Sequence, residues 1–131
     1  MAYLLDTCAI LFLAEGTQNL SVATLDRIDT APAGSVFVSA ISLAELACLQ
    51  ESGRISLSQH WRSWWDSLLV RTGWTCLPVT ADILAEAYSL PQPIHRDPAD
   101  RILIATARTE RLTLVTTDGK IRQYPHVTSI D

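Results

Sequence analysis

The chain has 131 residues, 48% of them apolar and 18% charged, which is the length of one domain and enough to bury a real core. Ten Lys and Arg against fourteen Asp and Glu give a net charge of −4 and a pI near 5.2, so bulk charge does not draw this surface to nucleic acid. Collagen, fibre and disorder are excluded by composition, and what the surplus acids mean depends on where they sit. Cys8, Cys48 and Cys76 form no CxxC pair and leave an odd thiol, which suits neither a disulfide framework nor a zinc site. No apolar run reaches the roughly 18 residues that span a bilayer, and Asp6 interrupts the N-terminal apolar stretch. The expectation is a cytoplasmic single domain over 1–131 with no membrane contact.

Short runs rich in Leu and Val alternate with longer segments of helical period, the pattern of an α/β fold around a parallel sheet. Residues 3–5 open the first strand. A helix over 20–28 follows, then a strand over 36–38 and a helix over 42–50 that Gly53 stops. Residues 58–70 place Trp61, Trp64, Trp65, Leu68 and Leu69 on one helical face, a stripe that reads as core or as a groove for a partner helix. A short strand is expected over 77–79, a helix over 80–89, and a loop at Pro91-Gln92-Pro93. The helix over 99–108 is apolar nearly all round and should be buried. Strands over 112–116 and 127–130 close the chain.

Four acids recur at one kind of position. Asp6 follows the first strand, Glu45 lies one turn into the helix after the second, Asp100 stands in the first turn of the buried helix, and Asp118 follows the fourth strand. In a parallel sheet these places gather at the carboxyl edge, where open α/β folds bind ligands. Each acid also has a structural reading. Ser42-Leu43-Ala44-Glu45 has the form of a capping box with Ser42 as N-cap. Asp97-Pro98-Ala99-Asp100 reads as an N-cap, a proline at N1 and an acid favoured by the helix dipole, and Asp118 before Gly119 reads as a turn or cap. Two carboxylates about 4 Å apart repel by roughly 4 kcal/mol at an effective dielectric of 20, so a nest of four calls for a cation. With all-oxygen ligands and with His60, His95 and His126 dispersed, that cation is Mg²⁺ or Mn²⁺. The chemistry that follows is phosphoester hydrolysis by an activated water.

The strings Leu4-Leu5-Asp6-Thr7, Ser39-Ala40-Ile41-Ser42-Leu43-Ala44-Glu45-Leu46, His95-Arg96-Asp97-Pro98-Ala99-Asp100-Arg101-Ile102-Leu103-Ile104-Ala105 and Leu114-Val115-Thr116-Thr117-Asp118 together resemble the PIN-domain ribonucleases. The nearest likeness is to VapC-type toxins of bacterial toxin-antitoxin pairs. The resemblance covers essentially the whole chain, and the third string is its most specific part. It implies a three-layer α/β/α sandwich and a Mg²⁺- or Mn²⁺-dependent endoribonuclease that leaves 5′-phosphate and 3′-hydroxyl ends. Asp6, Glu45, Asp100 and Asp118 fall on the family's metal-holding acids, and Thr116 on a hydroxyl position that supports them. Asp97 is a further candidate ligand, with its N-cap role ranked first.

The same resemblance implies a VapB-type antitoxin as partner, a homodimer, a larger toxin-antitoxin assembly, and DNA contact only through the antitoxin. Arg96, Arg101, Lys120 and Arg122 flank the acids in sequence and are the candidate contacts to RNA phosphates. Two other readings compete. A receiver-like signalling domain also sets acids and Mg²⁺ at a sheet edge, but Asp6 is followed by Thr7-Cys8 and the second strand by Ser39-Ala40, so its acid pair and phosphoacceptor are missing. A catalytically silent module of the same fold is the other.

Overall fold

The computed structural model describes residues 1–17, 19–94 and 96–131; His95, in the third string above, lies outside them. Five parallel strands, Tyr3–Leu5 (β1), Val36–Ser39 (β2), Thr75–Leu77 (β3), Thr113–Val115 (β4) and Ser129–Ile130 (β5), make one sheet in the order β3-β2-β1-β4-β5. The helices among the described residues are Thr7–Glu15 (α1), Val22–Asp29 (α2), Ala40–Glu51 (α3), Trp61–Thr72 (α4), Ala81–Ala87 (α5), Pro98–Glu110 (α6) and Gly119–Gln123 (α7).

Strand side chains alternate between two faces, and the core divides accordingly. Tyr3 and Leu5 of β1 join Val36, Val38 and Val115 in a cluster closed by Ile10 of α1, Leu46 of α3 and Trp64, Trp65 and Leu68 of α4. Leu4 and Leu114 belong to the opposite cluster, with Leu103 and Ile104 of α6 and Ile121 of α7. The result is a three-layer α/β/α sandwich. Because helices cover both faces, β1 and β4 are buried throughout. A satellite cluster of Ile83, Ala87, Ile102 and Ala105 fastens α5 to α6.

The strand order reverses between β1 and β4, and the crevice outside that switch point is where an open α/β sheet binds its ligand. The same order removes the receiver-like reading, since that class has the order 2-1-3-4-5.

Several expected elements shift. The third strand is Thr75–Leu77, not 77–79; Cys76 pairs with Val38, and Pro78, which has no N–H to give a ladder, falls just beyond. The helix expected over 42–50 begins at Ala40, and its N-cap is Ser39, whose Oγ accepts from Ile41 N at 3.1 Å. Ser42 is therefore inside the helix and Glu45 is not its capping partner. The helix expected over 58–70 runs Trp61–Thr72 after an His60 cap. Two helices were not foreseen. In α1, residues 8–14 are apolar without a break, so no polar face marks the period; α7 is only five residues long. The tryptophan stripe resolves to core, with Trp65 3% exposed and Trp64 9%, while Trp61 at the head of α4 is only partly covered.

Replacing Trp65 with Ala should cost about 3–5 kcal/mol, the usual penalty for emptying a buried aromatic site. Urea unfolding of the isolated chain measures it; unchanged stability would mean that the stripe serves a partner and not the core.

Candidate functional site

Asp6, Glu45, Asp100 and Asp118 line one open cavity of about 180 Å³ together with Thr7, Cys8, Leu103 and Thr117. Four segments separated in sequence thus meet at the carboxyl edge of the sheet. Their placement follows from local chain chemistry. Asp6 is the N-cap of α1, its Oδ1 accepting from Ala9 N at 2.7 Å, and its own N–H donates to Val115 O at 3.1 Å, which ties the end of β1 to β4. Asp118 is the N-cap of α7, its Oδ1 accepting from Lys120 N at 2.8 Å and Ile121 N at 3.2 Å. Asp97 caps α6 with Pro98 at N1, and its Oδ1 accepts from Asp100 N at 3.1 Å. A cap uses carboxylate oxygens against orphan helix N–H groups, and the positive end of the helix dipole favours the negative charge.

Thr116 is fully buried and joins two of these acids. Its hydroxyl donates to the Asp6 carboxylate, while its Oγ1 accepts from Asp118 N at 3.1 Å. Glu45 is half-buried and accepts at Oε1 from the Thr7 hydroxyl at 2.5 Å. Thr7 and Cys8 were not among the candidate site residues, because the helix that begins at Thr7 was itself not foreseen. Asp97 does not line the cavity; it is exposed, and its charge is felt by Glu45.

The electrostatics reflect this crowding. Burial pushes the Asp6 carboxyl above its ordinary value of 3.8; the Thr116 and Ala9 hydrogen bonds oppose the rise, and the charges of Asp100 and Asp118 add to it. Burial likewise raises Glu45, against the Thr7 hydrogen bond and with the charges of Asp100, Asp97 and Asp6. The Cys8 thiol is raised by burial and then by all four acids, so it stays protonated at neutral pH and is no thiolate ligand.

A hard divalent cation suits this donor set. Among the described residues no three His, Cys, Asp or Glu are placed so that together they could hold one metal ion, which speaks against a structural zinc centre. Mg²⁺ demands less, since it keeps several waters and binds through one or two carboxylates. An open anionic cavity with oxygen donors, and no described Lys, Arg or His in its lining, fits that mode.

The basic candidates separate. Arg122 donates to the Ser129 carbonyl and hydroxyl and stands 3.6 Å from Asp131, so its guanidinium tethers β5. Arg101 lies 5.2 Å over the Tyr88 ring. Lys120 is exposed next to the Asp118 cap and lines a neighbouring groove with Pro93, Ile94 and Tyr124. Arg96 is exposed just before the Asp97 cap.

Residues 3–127 match the family model of the PIN domain. The chain belongs to the PIN-domain family. It is 37% identical over 125 residues to Ribonuclease VapC22 of Mycobacterium tuberculosis, covering 94% of this chain and 92% of that protein. In fold it is similar to the DNA-bound VapBC of Salmonella typhimurium, with a TM-score of 0.71 at 16% identity over 100% of this chain and 98% of that one. VapBC2 of Rickettsia felis, bound to a fragment of its promoter, gives 0.70 at 18% identity over 98% and 97%.

Folding raises the pKa of Asp6 and Glu45, so the folded chain holds these protons more tightly than the unfolded chain. Stability therefore falls as pH rises from their ordinary values, 3.8 and 4.5, through the raised ones. Asp6→Asn keeps the N-cap, because Asn caps as well as Asp, and removes one of the repelling charges. In EDTA its thermal midpoint at neutral pH should equal or exceed that of the parent, with a flatter decline between acidic and neutral pH. A midpoint well below the parent's would show that the Asp6 charge stabilises the fold.

Proposed function

We propose that this protein is a VapC-type endoribonuclease, the toxin of a toxin-antitoxin pair, that hydrolyses RNA phosphodiester bonds with Mg²⁺ or Mn²⁺ held at Asp6, Glu45, Asp100 and Asp118. The observation that carries the reading is the convergence of these four acids in one cavity at the switch point, in a chain 37% identical to a ribonuclease. A divalent cation bound there supplies Lewis acidity and lowers the pKa of water.

The chain's own part is to hold and orient. Asp6 and Asp118 are fixed by the helices they cap and by the Thr116 hydroxyl between them. Asp100 is carried on the first turn of α6 by the Asp97-Pro98 start. These acids set the direction from which a phosphodiester and the attacking water approach one another. Asp97 serves α6 as its cap, with ligation the lesser role. Lys120, Arg96 and Arg101 stand on the segments that carry Asp118 and Asp100, and they contact the flanking phosphates of RNA.

The partner in this reading is a VapB-type antitoxin, supported by the fold's likeness to proteins solved as VapBC complexes, two of them with DNA. DNA contact belongs to the antitoxin, and the toxin acts as a homodimer within the larger assembly. Among the described residues no helix is long and apolar enough to cross a membrane, in keeping with a cytoplasmic site of action.

The test is cleavage of total cellular RNA by the purified chain in MgCl₂ or EDTA, with end mapping, beside Asp100→Asn and Glu45→Gln. Cleavage that needs Mg²⁺, leaves 5′-phosphates and drops by roughly 100-fold or more in both variants, the scale seen when a key electrostatic group is removed, is expected. Cleavage that persists in EDTA or in both variants would refute the site, and a wild-type chain inert on every RNA while its antitoxin is absent would favour the silent module.

A further inference from the structure

Glu45 is held by a side chain that is not an acid. Thr7, the first residue of α1, and Ser42, the third of α3, are 35 positions apart in sequence, and their hydroxyl oxygens lie 2.9 Å apart in a buried contact. Thr7 Oγ1 also lies 2.5 Å from Glu45 Oε1. Ser42 is fully buried and Thr7 is 7% exposed.

One hydroxyl has one proton, which decides the direction of the chain. An ionised carboxylate only accepts, so the Thr7 proton goes to Glu45, and the Ser42 proton must then go to Thr7 Oγ1. Ser42 donates to Thr7, and Thr7 donates to Glu45. Each bond polarises the next in a site shielded from water. The pair also links two elements, since Thr7 sits directly after the Asp6 cap and Ser42 lies one turn before Glu45 on α3. The junction of β1 and α1 therefore carries one acid and the hydroxyl that orients another.

A glutamate has three side-chain torsions, and fixing a free glutamate side chain costs rotamer freedom. A bond to Oε1 removes much of that freedom before any cation arrives and leaves Oε2 to serve the cavity. We propose that Thr7, backed by Ser42, is a positioning residue that presets Glu45 for the divalent cation, so that this pair of hydroxyls governs cation affinity more than fold stability. The inference rests on the metal-dependent reading above. A plain contact between α1 and α3 would instead govern stability alone.

The experiment is Mn²⁺ titration of the metal-free chain, followed by electron paramagnetic resonance of free Mn²⁺, with thermal midpoints taken in EDTA. Thr7→Val keeps the branched shape and removes the hydroxyl; its Mn²⁺ dissociation constant should rise about tenfold, the low end of what losing a ligand's supporting hydrogen bond costs. Thr7→Ser should restore binding, and Ser42→Ala should weaken it by less than Thr7→Val. Thr7→Val with parental affinity would overturn the proposal while leaving the metal site intact. If that variant does not fold, Ser42→Ala decides, and parental affinity there has the same meaning. A parental chain that binds no Mn²⁺ would overturn the metal-dependent reading and this inference together.

Discussion

Four carboxylates sharing one small cavity, with no described cationic side chain in its lining, are the constraint around which the rest of this structure is arranged. Left alone, they repel through a medium less polar than water, and two of them, Asp6 and Glu45, are held above their ordinary pKa by burial first and then by neighbouring acids. The chain offsets this with devices that are individually modest. Helix N-termini receive Asp6 and Asp118 as caps, where the macrodipole favours an anion, and the Thr116 and Thr7 hydroxyls donate to Asp6 and Glu45. The cavity lining remains short of positive charge, a shortage that the proposed divalent cation would meet.

The sheet makes the gathering possible. With all strands parallel and the order reversing between β1 and β4, every strand end and following helix start faces the same edge, and the crevice opens where connections leave in opposite directions. Capping and binding are thus the same local event viewed from two sides. An acid placed at a helix start to satisfy backbone N–H groups is automatically at the rim. This is why Asp6 and Asp118 are both caps and cavity-lining acids, whereas Asp97, one turn ahead of Asp100 and outside the cavity, is a cap alone.

Much of this was legible in the sequence. The short runs Tyr3-Leu4-Leu5 and Leu112-Thr113-Leu114-Val115 announce strands, and the position of each acid relative to strand and helix starts places it at one edge. What escaped did so for physical reasons. Helix α1 has no polar face, so periodicity is silent there, and with it went Thr7 and Cys8. Ser39 and Ser42 are equally good caps by residue type, and only the backbone at Ala40 decides between them. Arg122 lies two residues beyond Lys120, yet its guanidinium is drawn to Ser129 and Asp131 by the pairing of β5 with β4, which sequence distance does not reveal. The charge balance is sharpened as well. Setting the four cavity acids aside leaves ten acids against ten basic residues, so the chain's acidity is local to the site and need not repel RNA elsewhere.

The measurement that bears most directly on this account is anomalous diffraction from crystals of the metal-free protein soaked in MnCl₂. The account predicts a Mn²⁺ peak within the cavity lined by Asp6, Glu45, Asp100 and Asp118, lost in crystals of Asp6→Asn. Crystals that take up Mn²⁺ only elsewhere, with that cavity free of it, would contradict the claim that the four carboxylates form a divalent-cation site.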